Sequence, residues 1–476
     1  MSTAYTPPPG SVATLPVPSL EGIGSVHLIG VGGAGMRNLA RLFLARGVSV
    51  TGSDLKDSGG LGELRALGAV ISIGHMPGQV GTPDAVIASS AISPMNVELI
   101  QAREAGLPVW ARAQALAAFA AGHRSIAVAG THGKTTTTSM LAVILERAGL
   151  DPSYLIGGDL NESGSGARAG SGDLFVFEAD ESDGSFLLAE PALAVVTNIE
   201  LDHVDFYTRG QAEVEAAFVV FMDQAGSIIA CGDDEGVRRV AALARTPVVT
   251  YGVGPGNEVR MDVEQEGPDE AEGTLRMEDG TLVDLSLRVP GVHNLMDAAA
   301  ALLAARALGV DPKLAASALS GFTGVHRRFE LRGTARGAWF FDDYGHNPTE
   351  MAVALRTARL RSPERLIAVV QPHRYSRVQA LWKELGASLA EADVILVTDV
   401  FGAEQTPIPG VTGQLVAEGA RSAAPDRTIL YLPHRDDLLE YLEGAVRPGD
   451  LVLTMGCGDV WMLADAALAQ IAERDA

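Results

Sequence analysis

Apolar and polar positions along the chain fall into a repeating order: a short apolar run, a glycine-rich or charged turn, then a stretch with helical periodicity. The run Val26-His27-Leu28-Ile29 predicts a strand, 36–46 a helix and Val48-Ser49-Val50-Thr51 a second strand. Ala85-Val86-Ile87-Ala88 predicts another, ending at Ser89 and Ser90, and a helix over 111–121 leads to a boundary at Gly122-His123-Arg124. A strand over 125–129 opens a second block that runs to 325. Its acidic, turn-rich part, 254–289, alternates with Arg260, Asp262 and Glu264 outward and predicts a small antiparallel meander, followed by an alanine-rich helix over 296–308. A third block from His326 shows strands at 338–341, 366–370, 394–398 and 451–455 with helices between. Strands alternating with helices imply parallel α/β layers. The expected fold class is α/β in three domains: Rossmann-like over 21–121, a P-loop ATPase-like parallel sheet over 122–325, and Rossmann-like again over 326–476. Residues 1–20, with five prolines and no charge, read as a disordered tail.

Length and charge narrow the function. The 476 residues carry a net charge of −23, which argues against nucleic acid or an anionic membrane surface as partner. No apolar run approaches the length of a membrane span and no basic residue precedes Arg37, so neither a membrane anchor nor a signal peptide is expected. The two cysteines, Cys231 and Cys457, form no disulfide framework or metal knuckle, so a reducing, cytoplasmic setting is expected. Only four lysines occur, and one of them stands in the sharpest motif of the chain.

That motif is Gly130-Thr131-His132-Gly133-Lys134-Thr135-Thr136, between an apolar strand and a helix. Successive backbone N–H groups and a helix N-terminus make an anion cradle, Lys134 can reach β/γ-phosphate oxygens, and the Thr135 hydroxyl can ligate Mg²⁺. The glycine spacing is one residue shorter than in the usual P-loop. Phe177-Glu178-Ala179-Asp180-Glu181-Ser182-Asp183 follows another apolar run, which puts Glu178 where a strand-end metal ligand belongs. Asn198-Ile199-Glu200-Leu201-Asp202-His203 ends a third run, and His203 suits Mg²⁺ or proton transfer. Near the N-terminus, Gly30-Val31-Gly32-Gly33-Ala34-Gly35 fits G-x-G-x-x-G, with Asp54 closing the next strand. It fits a dinucleotide, or any diphosphate on a helix N-terminus with Asp54 near a ribose. In the third block, Asp343 suits a nucleotide or an amine, and Arg374 and Arg377 an anionic substrate. Arg327 and Arg328 read equally as a solvated face or as a phosphate clamp.

Together these stretches resemble the Mur ligase family of bacterial cell-wall synthesis. The resemblance rests on His27–Met36 (HLIGVGGAGM), Gly130–Thr137 (GTHGKTTT), Glu178–Phe186 (EADESDGSF), Asn198–Asp205 (NIELDHVD), His293-Asn294, Val325–Phe329, Asp342–Glu350, Gln371–Arg377 and Met455–Asp459. It implies ATP-dependent amide formation through an acyl phosphate, with ATP as co-substrate and two Mg²⁺ ions held by Thr135, Glu178 and His203. Lys134, Glu178, His203, Arg327, Asp343 and His346 are its implied catalytic residues. The 130–136 loop, His293, Asn294, Asp297, Arg327 and Asp343 would bind ATP. Gly30, Gly32, Gly33, Ala34, Gly35, Met36, Ser53, Asp54, Ser90, Arg374 and Arg377 would bind a UDP-linked substrate. The EADESDGSF form, and the lack of any lysine between Lys134 and Lys313, point to the branch that adds L-alanine to UDP-N-acetylmuramate. Which of His203, Asp343 and His346 takes the amine proton stays open, as does the choice between monomer and homodimer. Three positions depart from the family pattern: Asp297 replaces an Asn, Asn347 a His and Cys457 an Ala. Asp297 either meets the nucleotide or caps a helix over 298–308. A nicotinamide-dependent dehydrogenase with a regulatory P-loop and a non-enzymatic nucleotide switch are the rival readings.

Overall fold

The computed structural model describes residues 5–8, 10–158, 160–161, 165–403 and 405–475. Three sheets follow one another along the chain. The first has five parallel strands in the order Val70–Ile73, Ser49–Asp54, Ser25–Ile29, Ala85–Ala88, Val109–Ala111. The chain thus reverses direction across the sheet at Ser25–Ile29, the switch point where α/β folds open a crevice at the strands' carboxyl ends.

The second sheet has ten strands. Its centre is Arg124–Ala129, flanked by Leu193–Val196 on one side and Leu174–Glu178 on the other, all parallel. Each of these runs is almost wholly buried, as parallel strands covered on both faces must be. The three motifs of the second block therefore leave neighbouring strands at the same edge. Val259–Glu266, Ala271–Arg276 and Leu282–Leu287 form the expected antiparallel meander, joined through Val248–Gly252 to the same sheet. The helices Lys134–Arg147 and Val292–Ala307 pack together over one face with Met140, Leu141, Leu295, Leu302 and their neighbours in the core.

The third sheet runs Glu330–Ala335, Ala338–Asp343, Asp450–Met455, Arg365–Val370, Val394–Val397, Thr428–Tyr431, parallel except for its first strand. Among the described residues, no helix is long and apolar enough to cross a membrane.

The proline-rich start departs from the disordered tail expected of it, apart from residues 1–4 and 9, which lie outside the described residues. Val12–Thr14 forms a turn of 3₁₀ helix, Tyr5 is buried in the core, and Gln114 Nε2 donates to the Pro16 carbonyl at 2.7 Å. Prolines lose little entropy on ordering, and the uncharged side chains around them cover apolar surface without stranding a charge.

One packing contact of the third domain was not legible in the hydrophobic pattern. The helices Tyr375–Ala387 and Gly413–Ala423 touch backbone to backbone, and a Cβ at Gly386 would sit 2.3 Å from the Ala420 nitrogen. Gly386→Ala should therefore force the helices apart and destabilise this domain by about 1–3 kcal/mol, measured as a lower urea midpoint for its unfolding transition. An unchanged midpoint would contradict the close packing.

Candidate active site

The 130–133 loop owes its path to two glycines with positive φ. A Cβ at Gly130 would lie 2.1 Å from Thr197 Oγ1, and one at Gly133 2.6 Å from Asp297 Oδ1. The loop is closed by Asn198, whose Oδ1 accepts from the His132 N–H at 2.8 Å. Lys134, first residue of the following helix, is tied back on its Nζ to Glu181 at 2.9 Å and to the Thr131 carbonyl at 3.3 Å. Burial works against the ammonium, yet Glu181, Asp180 and Glu178 together raise its pKa. Glu178 accepts from the Gly157 N–H at 2.6 Å, and its burial, only partly offset by that bond and by Lys134, pushes its pKa up. The countercharges of Lys134 and Arg328 thus compensate this carboxylate only in part.

His203 adopts φ +51°, and its Nδ1 is buried without a hydrogen-bond partner. Its neighbour Asp202 is clasped by Arg377 from the third domain, through Nη2 at 2.8 and 3.0 Å and Nε at 3.0 Å. Despite burial, that guanidinium keeps Asp202 well below the usual carboxylate range. Arg374 reaches Asp205 at 3.2 Å. These two arginines, grouped above with the UDP-binding residues, thus engage the loop at 202–205. Sequence could not show this, because it depends on how two domains meet.

A second bridge between the same domains centres on His132. Nε2 meets Glu200 at 3.1 Å and Nδ1 meets Glu350 at 3.4 Å. Burial pulls its pKa down, but the bonds to Glu200 and Glu350 outweigh this and lift it to about 9. Between the domains lies a cavity of about 520 Å³ lined by His132, Gly133, His293, Asn294, Asp297, Arg328 and Asp343, with Tyr251 and Phe322 among its apolar walls. His293 is partly open to the cavity, and desolvation by the surrounding walls with the nearby Arg356 and Arg328 lowers its pKa, favouring a neutral ring. Arg328, not Arg327, reaches this cavity. Arg327, at φ +63°, is held by Asp342 at 2.9 Å and by the carbonyls of Gly456 and Gly458, and it stacks on Tyr344. The two arginines diverge in a turn where Arg327 takes positive φ, and no sequence pattern told which one faced inward.

Asp297 is no helix cap. The helix begins earlier, at Val292, so Asp297 lies one turn inside it and accepts from Thr137 Oγ1 at 3.1 Å. Burial pushes its carboxyl up to about 7 against the pull of Thr137 and Arg328. Asp343 accepts from the Phe329 and Gly345 N–H groups at 2.8 and 2.7 Å, and burial raises it to about 6. His346 donates through Nδ1 to the Tyr344 carbonyl at 3.1 Å, and burial lowers its pKa to about 4.

In the first domain, Gly30–Met36 turns into the helix Ala34–Ala45 with Gly33 as its N-cap. Asp54 accepts from the Gly32 N–H at 2.8 Å, bracing the loop. Ser53 does not face a ligand: its hydroxyl donates to buried Glu98 at 2.5 Å, and that carboxylate also meets His27 at 3.3 Å. Glu98 and His27 were missed because one lies in a mixed polar helix and the other in an apolar strand, and only the fold brings them together. Ser90 lines a cavity of about 460 Å³ with Trp110, Arg112, Val12 and Leu15. The Gly30 and Gly35 positions abut Ser89 and Arg112 of that wall.

Comparison with known proteins agrees with this layout. Residues 25–124 match the model of the Mur ligase family catalytic domain, 128–305 that of the Mur ligase middle domain, and 327–458 that of the Mur ligase glutamate ligase domain. The UDP-N-acetylmuramate–L-alanine ligase of Nitratidesulfovibrio vulgaris is 44% identical over 440 residues, spanning 92% of this chain and 96% of that protein. The enzyme of the same name from Saccharopolyspora erythraea is 46% identical over 94% and 93%. Among solved structures, the UDP-N-acetylmuramate–alanine ligase of Thermotoga maritima superposes with a TM-score of 0.79 at 26% identity, covering 94% of this chain and 99% of that one. A murein peptide ligase from Psychrobacter arcticus gives 0.73 at 26% identity over the same shares.

The His132 bridge has a pH signature. Its folded pKa of about 9 lies above the ordinary 6.5 of histidine. The stabilisation is therefore complete below about pH 6.5 and is lost as pH rises through 9, with a ceiling on the order of 3 kcal/mol. Between pH 7 and 10 the melting temperature should fall in the native chain and fall less in Glu200→Gln/Glu350→Gln. Parallel curves would refute the assignment.

Proposed function

The chain belongs to the Mur ligase family, and on that premise we infer that it joins L-alanine to the lactyl carboxylate of UDP-N-acetylmuramate at the expense of ATP, a step of peptidoglycan precursor synthesis. The observation that carries this is the convergence of a phosphate loop, strand-end carboxylates and a buried unpaired histidine nitrogen on one edge of the central sheet. A carboxylate has no leaving group that an amine can displace in water. Transfer of the γ-phosphoryl group from ATP to the carboxylate releases ADP and makes an acyl phosphate. The alanine amine then attacks the acyl carbon, phosphate departs, and the amine gives up a proton.

ATP occupies the cavity between the second and third domains in this reading. The 130–136 loop cradles its phosphates, and Lys134 exchanges Glu181 for phosphate oxygens. Arg328 approaches from the third domain, while Arg327 positions the 456–458 loop. The oxygen donors fit Mg²⁺, a hydroxyl at Thr135 and a carboxylate at Glu178 that Lys134 and Arg328 compensate only in part, and the unpartnered nitrogen of His203 adds a weaker ligand. Thr135 and Glu178 would hold one ion and His203 a second, which neutralise phosphate charge when bound. Of the three candidate bases, Asp343 is engaged by two backbone amides and the unpartnered nitrogen of His203 is taken by the second ion, whereas His346 donates through Nδ1 and keeps Nε2 free. The UDP diphosphate lies on the 30–36 loop, and the sugar points toward the central domain.

Phosphate release measured with each substrate omitted in turn tests the reading. Release should require ATP, UDP-N-acetylmuramate and L-alanine together, be indifferent to NAD, and vanish in Lys134→Met, with folding checked by its melting curve. Release without L-alanine, or competition by NAD against the UDP substrate, would overturn it.

Asp297 gives a second, pH-resolved test. With its carboxyl near 7, it is neutral on the acid side and gains a negative charge beside the phosphate loop on the alkaline side. The Michaelis constant for ATP should rise severalfold from pH 6 to 8, and Asp297→Asn should flatten that rise. The same rise in both proteins would place the charge away from ATP.

A further inference from the structure

Cys457, His346 and His373 come from three different loops, yet the structure gathers them. Each follows the carboxyl end of a parallel strand: His346 follows Ala338–Asp343, Cys457 follows Asp450–Met455, and His373 follows Arg365–Val370. The strand of Cys457 lies between the other two, with Met455 paired to Asp343 on one side and to Val370 on the other. The three residues therefore start from the same row of the sheet, two or three residues beyond it. One nitrogen of each ring and the Cys457 Sγ all lie within 4.8 Å of one another. The two rings meet edge to face at 5.3 Å between centroids.

We propose that this cluster is a binding site for a soft divalent transition ion of the Zn²⁺ class, held by His346, His373 and Cys457 with the fourth position open. The proposal goes beyond the ligase reading, whose hard Mg²⁺ ions prefer oxygen donors. Two imidazoles and a thiol select Zn²⁺ over Mg²⁺, and three protein ligands with one open position is an established zinc arrangement. The ligand atoms must close to about 3.5 Å apart for zinc bond lengths, a shift of about 1 Å within reach of side-chain rotation.

The surroundings suit it. His346 donates its Nδ1 hydrogen to the Tyr344 carbonyl, which fixes the ring and leaves Nε2 free, as an outer partner of a metal-bound histidine does. His373 Nδ1 receives Arg377 Nη1 at 2.9 Å; whichever nitrogen of His373 binds the ion, Arg377 falls back on the His373 carbonyl, 3.4 Å away. Burial keeps both rings neutral and lone pairs available near pH 7, whereas it pushes the Cys457 thiol up to about 12. Binding then forms a metal–sulfur bond and releases the thiol proton to water. Arg377 and Arg374 oppose the added charge; Asp202, Glu350 and the new thiolate offset it. None of the three ligands is fully buried, so an ion can enter. Occupancy would take His346 away from the amine site.

Cobalt reports such a site directly. Tag-free, metal-free full-length protein titrated with Co²⁺ should show one equivalent of a thiolate-to-metal charge-transfer band with tetrahedral visible bands, displaced by Zn²⁺. Cys231→Ala should retain the band. Cys457→Ala should lose it and bind Zn²⁺ on the order of a hundredfold more weakly, with a metal-free melting temperature like that of the native chain. Zn²⁺ should raise the melting temperature of the native protein and not of Cys457→Ala. Absence of the band, its persistence in Cys457→Ala, or its loss in Cys231→Ala would each overturn the assignment.

Discussion

The ion pair between Asp202 and Arg377 fixes where the second and third domains meet, and the candidate active site exists only at that meeting. Both side chains are less than a tenth exposed, and three hydrogen bonds join them. Burying two charges is costly unless their polar atoms are matched, and removing one partner would leave the other uncompensated. The pair therefore works as a registration device. Asp202 stands beside His203 on one sheet's edge, and Arg377 stands beside His373 on the other's. Holding these two residues together brings the carboxyl ends of two parallel sheets face to face.

Charge explains why the facing edges do not repel. Glu178, Asp180, Glu181, Glu200 and Glu350 crowd a chain that is already strongly acidic. Lys134 answers Glu181, and His132 answers Glu200 and Glu350 at once. Glu178 keeps a pKa pushed up by burial even with the Gly157 N–H, Lys134 and Arg328 pulling it down. An anionic nucleotide entering this cavity meets a site whose cations are already engaged. In the proposed reading, further positive charge arriving with the nucleotide would ease its entry, so a metal nucleotide would suit the site better than the bare anion.

Much of this was legible from sequence because the motifs follow short apolar runs directly. The pattern Ile126–Ala129 then Gly130 states a strand followed by a turn, and the same holds for Glu178 and Asn198. That those strands are neighbours, and that their ends therefore share one edge, was a matter of sheet order that periodicity does not carry. The errors have the same origin. Ser53 entered the UDP-binding set only through the resemblance, but long-range pairing commits its hydroxyl to Glu98. Of the two readings of Asp297, the cap fails because the helix starts just beyond Pro290-Gly291, well before the alanine run. Two cysteines far apart ruled out a local metal knuckle, and the arithmetic of spacing could not register ligands supplied by three adjacent strands.

The glycine fingerprint near the N-terminus shows how far a local motif reaches. In the proposed reading its backbone amides and helix start hold a diphosphate, and they can specify nothing further. What the diphosphate is attached to must be read by the walls beside it: Ser90, Trp110 and Arg112 from the same domain, and Val12 and Leu15 from the N-terminal strap. That strap is fastened at two ends that belong to different domains. Gln114 of the first domain holds Pro16, and Ala13 lies against the Gly184 turn of the second. The wall of the pocket thus depends on how the first two domains sit together, just as the nucleotide cavity depends on the second and third. A dinucleotide-type loop can serve chemistry with no hydride in it because selectivity lies in surfaces assembled between domains.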